Sequence, residues 1–441
     1  LTDVAVHWVR RFMPDPFLYA IGLTALTFLL AWAVGLREPS STPIALALGE
    51  AWYRGLFQIL EFAMQMALIL VAGHALGAAA PVRRLLLAIA SLPRTPGQAA
   101  ALIVAVTMLA SLLNWGFGLV VGGLLARAVA GRVRGLDFGL AVAAAYSGFV
   151  VWASGLSSSI ALVSATPGSA MNFIEKATHQ VVPLSETLLA PCNWVPVVVL
   201  LLVLPLLFSR LRPADIRELS AAPPPPEALP VVDDTPAAKL ERSRFFALVP
   251  MALGVLAAIA LQAHGALRPD LNTTILAFVV LGLALHGRPL PYLAAWNDAA
   301  RSVGPLLLQY PLYGGILGLL STSRLAELLA GAAAAHSTAR TFPLLTFLSS
   351  NVLSLFVPSG GGHWAVQGPI MLPAAAALHV SPAVTAMAVA LGEQTANMVQ
   401  PFWALPLLAI AGLGARDVMG YCLLTFAVSL TAFGLALLLL T

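Results

Sequence analysis

Very little of this chain is charged. Asp, Glu, Lys and Arg make up 10% of its 441 residues, against about 25% in soluble domains, which excludes an ordinary soluble globule. Cysteine is nearly absent. Cys192 and Cys422 both fall in or beside apolar runs, so the chain has neither a disulfide framework nor a cysteine metal motif. Apolar residues do not alternate with period two, which argues against a transmembrane β-barrel. There is no Gly-x-Ser-x-Gly elbow, no His-Glu-x-x-His pair and no Asp-rich cluster, so an intramembrane hydrolase built on Ser359 and His363 lacks its usual supporting parts. The formal net charge of +4 is scattered over short loops. It reads as an orientation signal and not as a nucleic-acid-binding surface.

What the chain does have is long apolar runs. Hydrophobic residues are 59% of the total, and the mean hydropathy is +0.90. Segments 16–36, 53–79, 187–208, 245–264 and 418–440 reach or approach the ~20 residues that cross a bilayer as a helix. The expected fold is an all-α polytopic membrane protein. Arg10 and Arg11 precede a first span with no small-residue cleavage site after it, so that span reads as a retained helix. Pro81 to Ser91 is basic and amphipathic and suits the interface. Segment 209–243 is polar and holds the run Pro223 to Pro226, the composition of a linker without a core.

Two glycine-rich polar breaks interrupt the apolar pattern at matching places on either side of that linker. One is Asn114-Trp115-Gly116-Phe117-Gly118. The other is Ser359-Gly360-Gly361-Gly362-His363-Trp364, starting 245 residues later. Open backbone within lipid is tolerated only where protein or water satisfies it, and paired breaks point to a transport site. The same shift of 245 aligns a second pair, Ser154 to Ser159 with Glu393 to Pro401, and places Trp152 on Asn397 and Gly155 on Gln400. The expected organisation is a first repeat, 1–208, with a re-entrant hairpin at 97–130 and a broken helix at 136–166. After the 209–243 linker comes a connecting helix, 244–264. A second repeat, 265–441, has a hairpin at 341–378 and a broken helix at 382–413. That gives about ten spans plus two hairpins. With the N-terminus cytoplasmic, 17 of 23 Lys and Arg lie inside; Arg37, Arg54, Lys176, Arg268, Arg324 and Arg340 lie outside. This asymmetry agrees with the positive-inside rule and makes the second repeat inverted.

Helix N-termini at the hairpin tips would offer free N–H groups and partial positive charge to an anion. Candidate substrate ligands are therefore Asn114, Trp115, Gly116, Gly118, Ser359, Gly360, Gly361, Gly362, His363, Asn397 and Gln400. For the glycines, close helix packing is the competing reading. Deep ionisable residues are few, and each is a functional candidate by default. Glu393, His363 and Glu61, with the hydroxyls Ser154, Ser157, Ser158 and Thr395, are the candidates for handling a co-transported proton or Na⁺. Glu61 also stands four residues before Gln65, a spacing that equally suits a structural pair. The hydroxyls equally suit caps of broken helix ends. Trp115, Trp152, Trp364 and Trp403 lie at or beside the breaks and suit the walls of an apolar pocket for a short alkyl or acyl chain.

The longest unusual strings resemble the bacterial short-chain fatty acid transporter family. They are Phe62 to Leu76 (FAMQMALILVAGHAL), Asn114 to Gly122 (NWGFGLVVG), Val357 to Pro369 (VPSGGGHWAVQGP) and Gln400 to Pro406 (QPFWALP). The resemblance covers nearly the whole chain apart from the linker. It implies uptake of monocarboxylates such as acetoacetate or butyrate across the bacterial inner membrane. No cofactor is expected, and H⁺ is favoured as the coupled ion, with Na⁺ as the alternative. The resemblance also implies membership of the wider ion-transporter superfamily, whose members are mostly homodimers with an elevator motion. Carried over, Asn114–Gly118 and Ser359–His363 are hairpin tips, and Ser154–Ser159 and Glu393–Gln400 are unwound turns.

Overall fold

The computed structural model describes residues 15–38, 41–58, 60–169, 171–219, 243–265, 267, 271–301, 303–358 and 360–441. These are almost entirely helical. The one β-bridge among them joins Leu36 and Ser323. Seven helical stretches are long and apolar enough to cross a membrane: Phe17–Val34, Ile44–Ala78, Pro96–Leu113, Phe138–Ser164, Pro191–Arg210, Phe245–Ala263 and Ala415–Leu439. The chain is a multi-pass membrane protein.

In order, the elements of the first part are α1 (Pro16–Val34), α2 (Ile44–Gln58), α3 (Leu60–Ala78), α4 (Ala80–Ile89), α5 (Pro96–Leu113), α6 (Trp115–Ala130) and α7 (Phe138–Gly148). A 3₁₀ turn (Phe149–Ser154) follows, then α8 (Ser159–Ser164), α9 (Phe173–Thr178) and α10 (Pro191–Arg210). The second part holds α11 (Phe245–Ala263), α12 (Leu271–His286), α13 (Pro289–Ala300), α14 (Gly304–Thr322), α15 (Leu325–Ala335), α16 (Phe342–Ser354), α17 (Gly360–Ala377), α18 (Pro382–Ala396), α19 (Ala404–Ala411) and α20 (Ala415–Leu439). Local chemistry sets several starts. Thr95, Asp137 and Ser381 each cap a first turn with a side-chain oxygen, and Pro96 and Pro382 open α5 and α18, positions where a missing N–H is no loss.

The helices pack as two bundles. In one, α14 lies against α1 and α2, while α3 lies against α12 and α13. The α2–α14 contact is backbone on backbone. A Cβ on Gly55 would come 2.4 Å from the Gly314 oxygen, and one on Gly318 would come 2.2 Å from the Ala51 oxygen. Small residues allow this approach, which is how helices associate in lipid. The other bundle holds α5–α7, α10 and α16–α20. Its heart is Phe138–Ser164, 94% buried, whereas Phe245–Ala263 at the periphery is 11% buried. An apolar helix so exposed is one that faces lipid.

The first stretch of the expected linker is docked, not free. Arg217 N–H donates to the Asp137 carboxylate at 3.0 Å, and Phe138 N–H donates to the Arg217 oxygen at 2.8 Å. Residues 220–242, including the proline run, lie outside the described residues. Three helices, α9, α13 and α15, have no counterpart in the sequence reading. They are short, and charged residues interrupt their apolar pattern: Glu175 and Lys176 in α9, Asp298 in α13 and Glu327 in α15.

Candidate functional site

The first break is a single residue. Asn114 is extended (φ −156°, ψ 130°) and closes α5 while opening α6. Its Oδ1 accepts from Phe117 N–H at 3.0 Å. Trp115 N–H donates to Ser157 Oγ at 2.9 Å, and Leu156 N–H donates to the Leu112 oxygen at 2.7 Å. The tip is thus stitched to the unwound segment between the 3₁₀ turn and α8. Gly116 and Gly118 serve packing: a Cβ on either would come 2.1 Å from Ile69 Cδ1 or Ser111 Oγ.

The two unwound segments face one another. Trp152 Nε1 donates to Asn397 Oδ1 at 2.8 Å, so the two positions related by the shift of 245 are directly bonded. Tyr146 Oη donates to the Asn397 oxygen at 2.8 Å. Gln394 accepts from Ala153 N–H at 2.9 Å and donates to Ser154 Oγ at 2.9 Å. Trp403 fills the centre, with ring centroids 5.0 Å from Trp115, 5.9 Å from Phe149 and 6.0 Å from Trp152. Trp364 does not join this cluster. Its Nε1 donates to the Met171 oxygen at 3.1 Å, and its ring lies 6.2 Å from Phe173.

The second tip is built differently. Ser359 lies outside the described residues. Gly360 opens α17 against the edges of the first unwound segment, where a Cβ would meet Ser159 and Trp152 at 3.0–3.1 Å. Around Gly361 there is nothing within 4 Å of a Cβ. The amides of Gly361 and Gly362, in the first turn of α17, donate to no described residue, as expected of a helix start awaiting a partner. Gly362 also lines a cavity of about 330 Å³ between α14, α15 and α17. Leu317, Leu320, Ala326, Val366 and Ile370 supply its apolar wall, while Arg37, Gln58 and Glu327 supply polar groups. Arg37 Nε and Glu327 Oε1 are paired at 2.9 Å.

His363, fully buried, points the other way. Its Nε2 lies 2.6 Å from Gln367 Oε1 and 3.2 Å from Ser350 Oγ. Ser350 Oγ itself donates to the Val389 oxygen at 2.7 Å, and Gln367 Nε2 donates to Ser349 Oγ at 2.9 Å. Both groups are then acceptors toward His363, which assigns the proton to Nε2. The histidine ties α16, α17 and α18 together.

Glu393 belongs to the last turn of α18, which stays helical through Ala396 and unwinds only from Asn397. The Glu393 carboxyl is fully buried, and neither oxygen has a hydrogen-bond partner among the described residues. Among the described residues, Asn397 Nδ2, one turn on, has no partner, and neither has Gln400 Oε1. Thr395 spends its hydroxyl on the Leu391 oxygen at 2.8 Å. Ser154 and Ser157 accept the bonds given above, and Ser158 Oγ, fully buried, has no described partner. Glu61 is not gathered here. It is exposed at the start of α3, with Gln65 Nε2 at 3.4 Å. It precedes Ile69, the residue packed on Gly116, by eight residues, or about 12 Å of helix.

Residue selection from the sequence missed Gln394, Gln367, Tyr146 and the Arg37–Glu327 pair. Gln367 carried a usable signal: it stands four residues after His363 in an apolar helix, so the two share a face. Tyr146 and the cavity pair gave none, because their roles depend on long-range packing.

The chain matches the family model described as "Short chain fatty acid transporter" over residues 1–440. It is 41% identical over 442 residues to an Escherichia coli K12 protein named "Putative short-chain fatty acid transporter", covering 97% of this chain and 98% of that one. A Haemophilus influenzae protein of the same name is 39% identical over 425 residues, covering 94% of each. The solved Alcanivorax borkumensis YdaH transporter aligns over 96% of this chain and 98% of its own, at 17% identity and a TM-score of 0.46. The sequence relatives are named as transporters, not enzymes, and their identity runs nearly end to end. The chain belongs to the short-chain fatty acid transporter family.

Proposed function

We propose that this protein is a secondary active transporter that moves short-chain fatty acids and related monocarboxylates across the bacterial inner membrane in symport with protons. Its N-terminus is cytoplasmic, its two repeats are inverted, and it works as a homodimer. One observation carries the substrate reading. The first-turn amides of Gly361 and Gly362 donate to no described residue, and Gly362 lines a cavity whose wall is mostly aliphatic. A helix N-terminus suits a carboxylate, and an apolar pocket with few polar groups suits a short acyl chain. The first tip supports this choice by contrast, since the amides of Trp115 and Phe117 are already taken. The parallel order of α5–α8 and α16–α19 supports the repeat.

The proton reading rests on Glu393. An ionised carboxylate buried without donor or counter-charge costs several kcal/mol. A proton is therefore the ion this conformation suits. Na⁺ coupling would need several oxygens converging on one point, and most of the hydroxyls near the breaks are already bonded to protein.

Purified protein in liposomes, given labelled butyrate under separate proton and sodium gradients, tests both readings. An inward proton gradient is expected to drive accumulation, and a sodium gradient alone is not. Glu393→Gln is expected to lose the response to the proton gradient while still exchanging butyrate. Accumulation driven by sodium, or a Glu393→Gln protein with an unchanged pH response, would refute the proton assignment. No movement of butyrate under any gradient would refute the substrate.

A further inference from the structure

A second cavity, of about 470 Å³, opens well away from the hairpin tips, at the seam between the two bundles. Its lining comes from α3, α4, α6, α13 and α19. Three guanidinium groups line it, from Arg83, Arg127 and Arg301, against a single carboxylate, Asp298, which sits 3.9 Å from His74. Arg127 is half-buried and committed. Its Nη1 donates to the Ile410 and Ala411 oxygens, at 3.2 and 2.9 Å, at the end of α19. Arg83 and Arg301 are exposed, and no hydrogen bond or ion pair joins either guanidinium to a described residue. The cavity therefore carries excess positive charge, with two planar donors that no described residue engages, the arrangement that suits a phosphate group.

The rest of the wall is apolar. Leu86 and Leu87 of α4, Leu124 of α6 and Ile410 of α19 lie beside the guanidinium groups. Helix α4 has Pro81 in its first turn and carries Arg83 and Arg84 ahead of three leucines, the composition of a helix lying in the membrane interface. It is held in place where Arg132 donates to the Leu87 oxygen. A small soluble anion has no use for a leucine wall, whereas an amphiphile uses both surfaces.

We propose that this seam is a binding site for the phosphodiester headgroup of an anionic phospholipid. Arg83 and Arg301 hold the phosphate, and the upper acyl chain lies along Leu86, Leu87 and Leu124. Basic pockets between membrane helices on the cytoplasmic side recognise such headgroups. The site touches α3, α4 and α13 on one side and α6 and α19 on the other, so an occupant bridges the two bundles.

Full-length protein in nanodiscs or detergent is titrated with phosphatidylglycerol, with phosphatidylcholine and with soluble glycerol phosphate, and the thermal unfolding midpoint and retained lipid are read. Phosphatidylglycerol is expected to raise the midpoint and to co-purify, with phosphatidylcholine giving neither effect. The double variant Arg83→Gln/Arg301→Gln changes two exposed side chains and is expected to fold as wild type. It should bind phosphatidylglycerol roughly 10- to 30-fold more weakly, at about one interfacial charge's worth of binding lost per arginine. An Arg94→Gln variant, which removes a basic residue outside this cavity, controls for general charge and should leave binding intact. Equal stabilisation by both lipids would overturn the proposal, as would an unaffected double variant or an equal loss in Arg94→Gln. Glycerol phosphate acting as strongly as the lipid would also overturn it, by identifying a small-anion site.

Discussion

Glycines at the two breaks look alike in sequence, yet their surroundings divide them. Gly116, Gly118 and Gly360 are pressed against Ile69, Ser111, and Ser159 with Trp152. Gly361 faces open space, and Gly362 borders the 330 Å³ cavity. Only the last two leave room for a ligand to reach the backbone. Gly361→Leu is expected to weaken butyrate binding about 100-fold or more, equivalent to roughly 2.7 kcal/mol, because its side chain occupies the approach to the amides. Gly361→Ala, whose Cβ meets nothing, should bind nearly as wild type. Calorimetry on purified protein, with thermal unfolding as the folding control, reads both. Binding of butyrate by a folded Gly361→Leu protein at wild-type affinity would remove the carboxylate from this tip. His363 differs: its Nε2 is committed to Gln367 and Ser350, which ties α17 to α16 and α18, while its Nδ1 has no hydrogen-bond partner among the described residues.

At the level of elements, the sequence shows a helix best where a helix is long and apolar. The starts of α1 and α11 fall within a residue of the positions expected from hydropathy, and the break at Asn114 is where the polar string placed it. Breaks are legible because glycine and polar residues are costly inside a membrane helix. Short helices are not. The apolar runs of α13 and α15 are too brief to stand out, and their place is set by packing on α3 and on α16 and α17. The site was legible as a set of segments, and the partner of each side chain was not. The shift of 245 aligned Trp152 with Asn397, but nothing in one dimension announced that the two would bond. The joint between the first tip and the first unwound segment makes a stability prediction. Gly155 sits so close to α5 that a Cβ would lie 2.3 Å from the Leu112 oxygen and 2.5 Å from its Cα. Backbone cannot yield as a side chain can, so Gly155→Ala is expected to cost about 1–3 kcal/mol and to lower the thermal midpoint measured in detergent. A variant as stable as wild type would show that the joint is not tightly packed.

For the whole molecule, the question is which parts move. The α2–α14 contact, glycine on glycine with backbone atoms almost touching, is too close to slide without separation, since packed helices shift between discrete arrangements and do not deform continuously. The bundle of α1–α3 and α12–α14 is thus the natural fixed frame. The bundle carrying both tips meets it through side chains, such as Ile69 against Gly116, and across the 330 Å³ cavity between α14 and α17. If transport moves the tips against this frame, as alternating access by rocking or elevator motion requires, then the walls of that cavity change their separation in every cycle. Leu317 on α14 and Val366 on α17 stand on those walls. The native cysteines Cys192 and Cys422 are both buried, which keeps background labelling low. A Leu317→Cys/Val366→Cys protein treated with a short bis-maleimide is expected to cross-link and to lose butyrate uptake in liposomes, while each single variant treated in the same way retains it. Uptake that persists in the cross-linked protein would mean that α17 and α14 travel together, and that the moving boundary lies elsewhere in the fold.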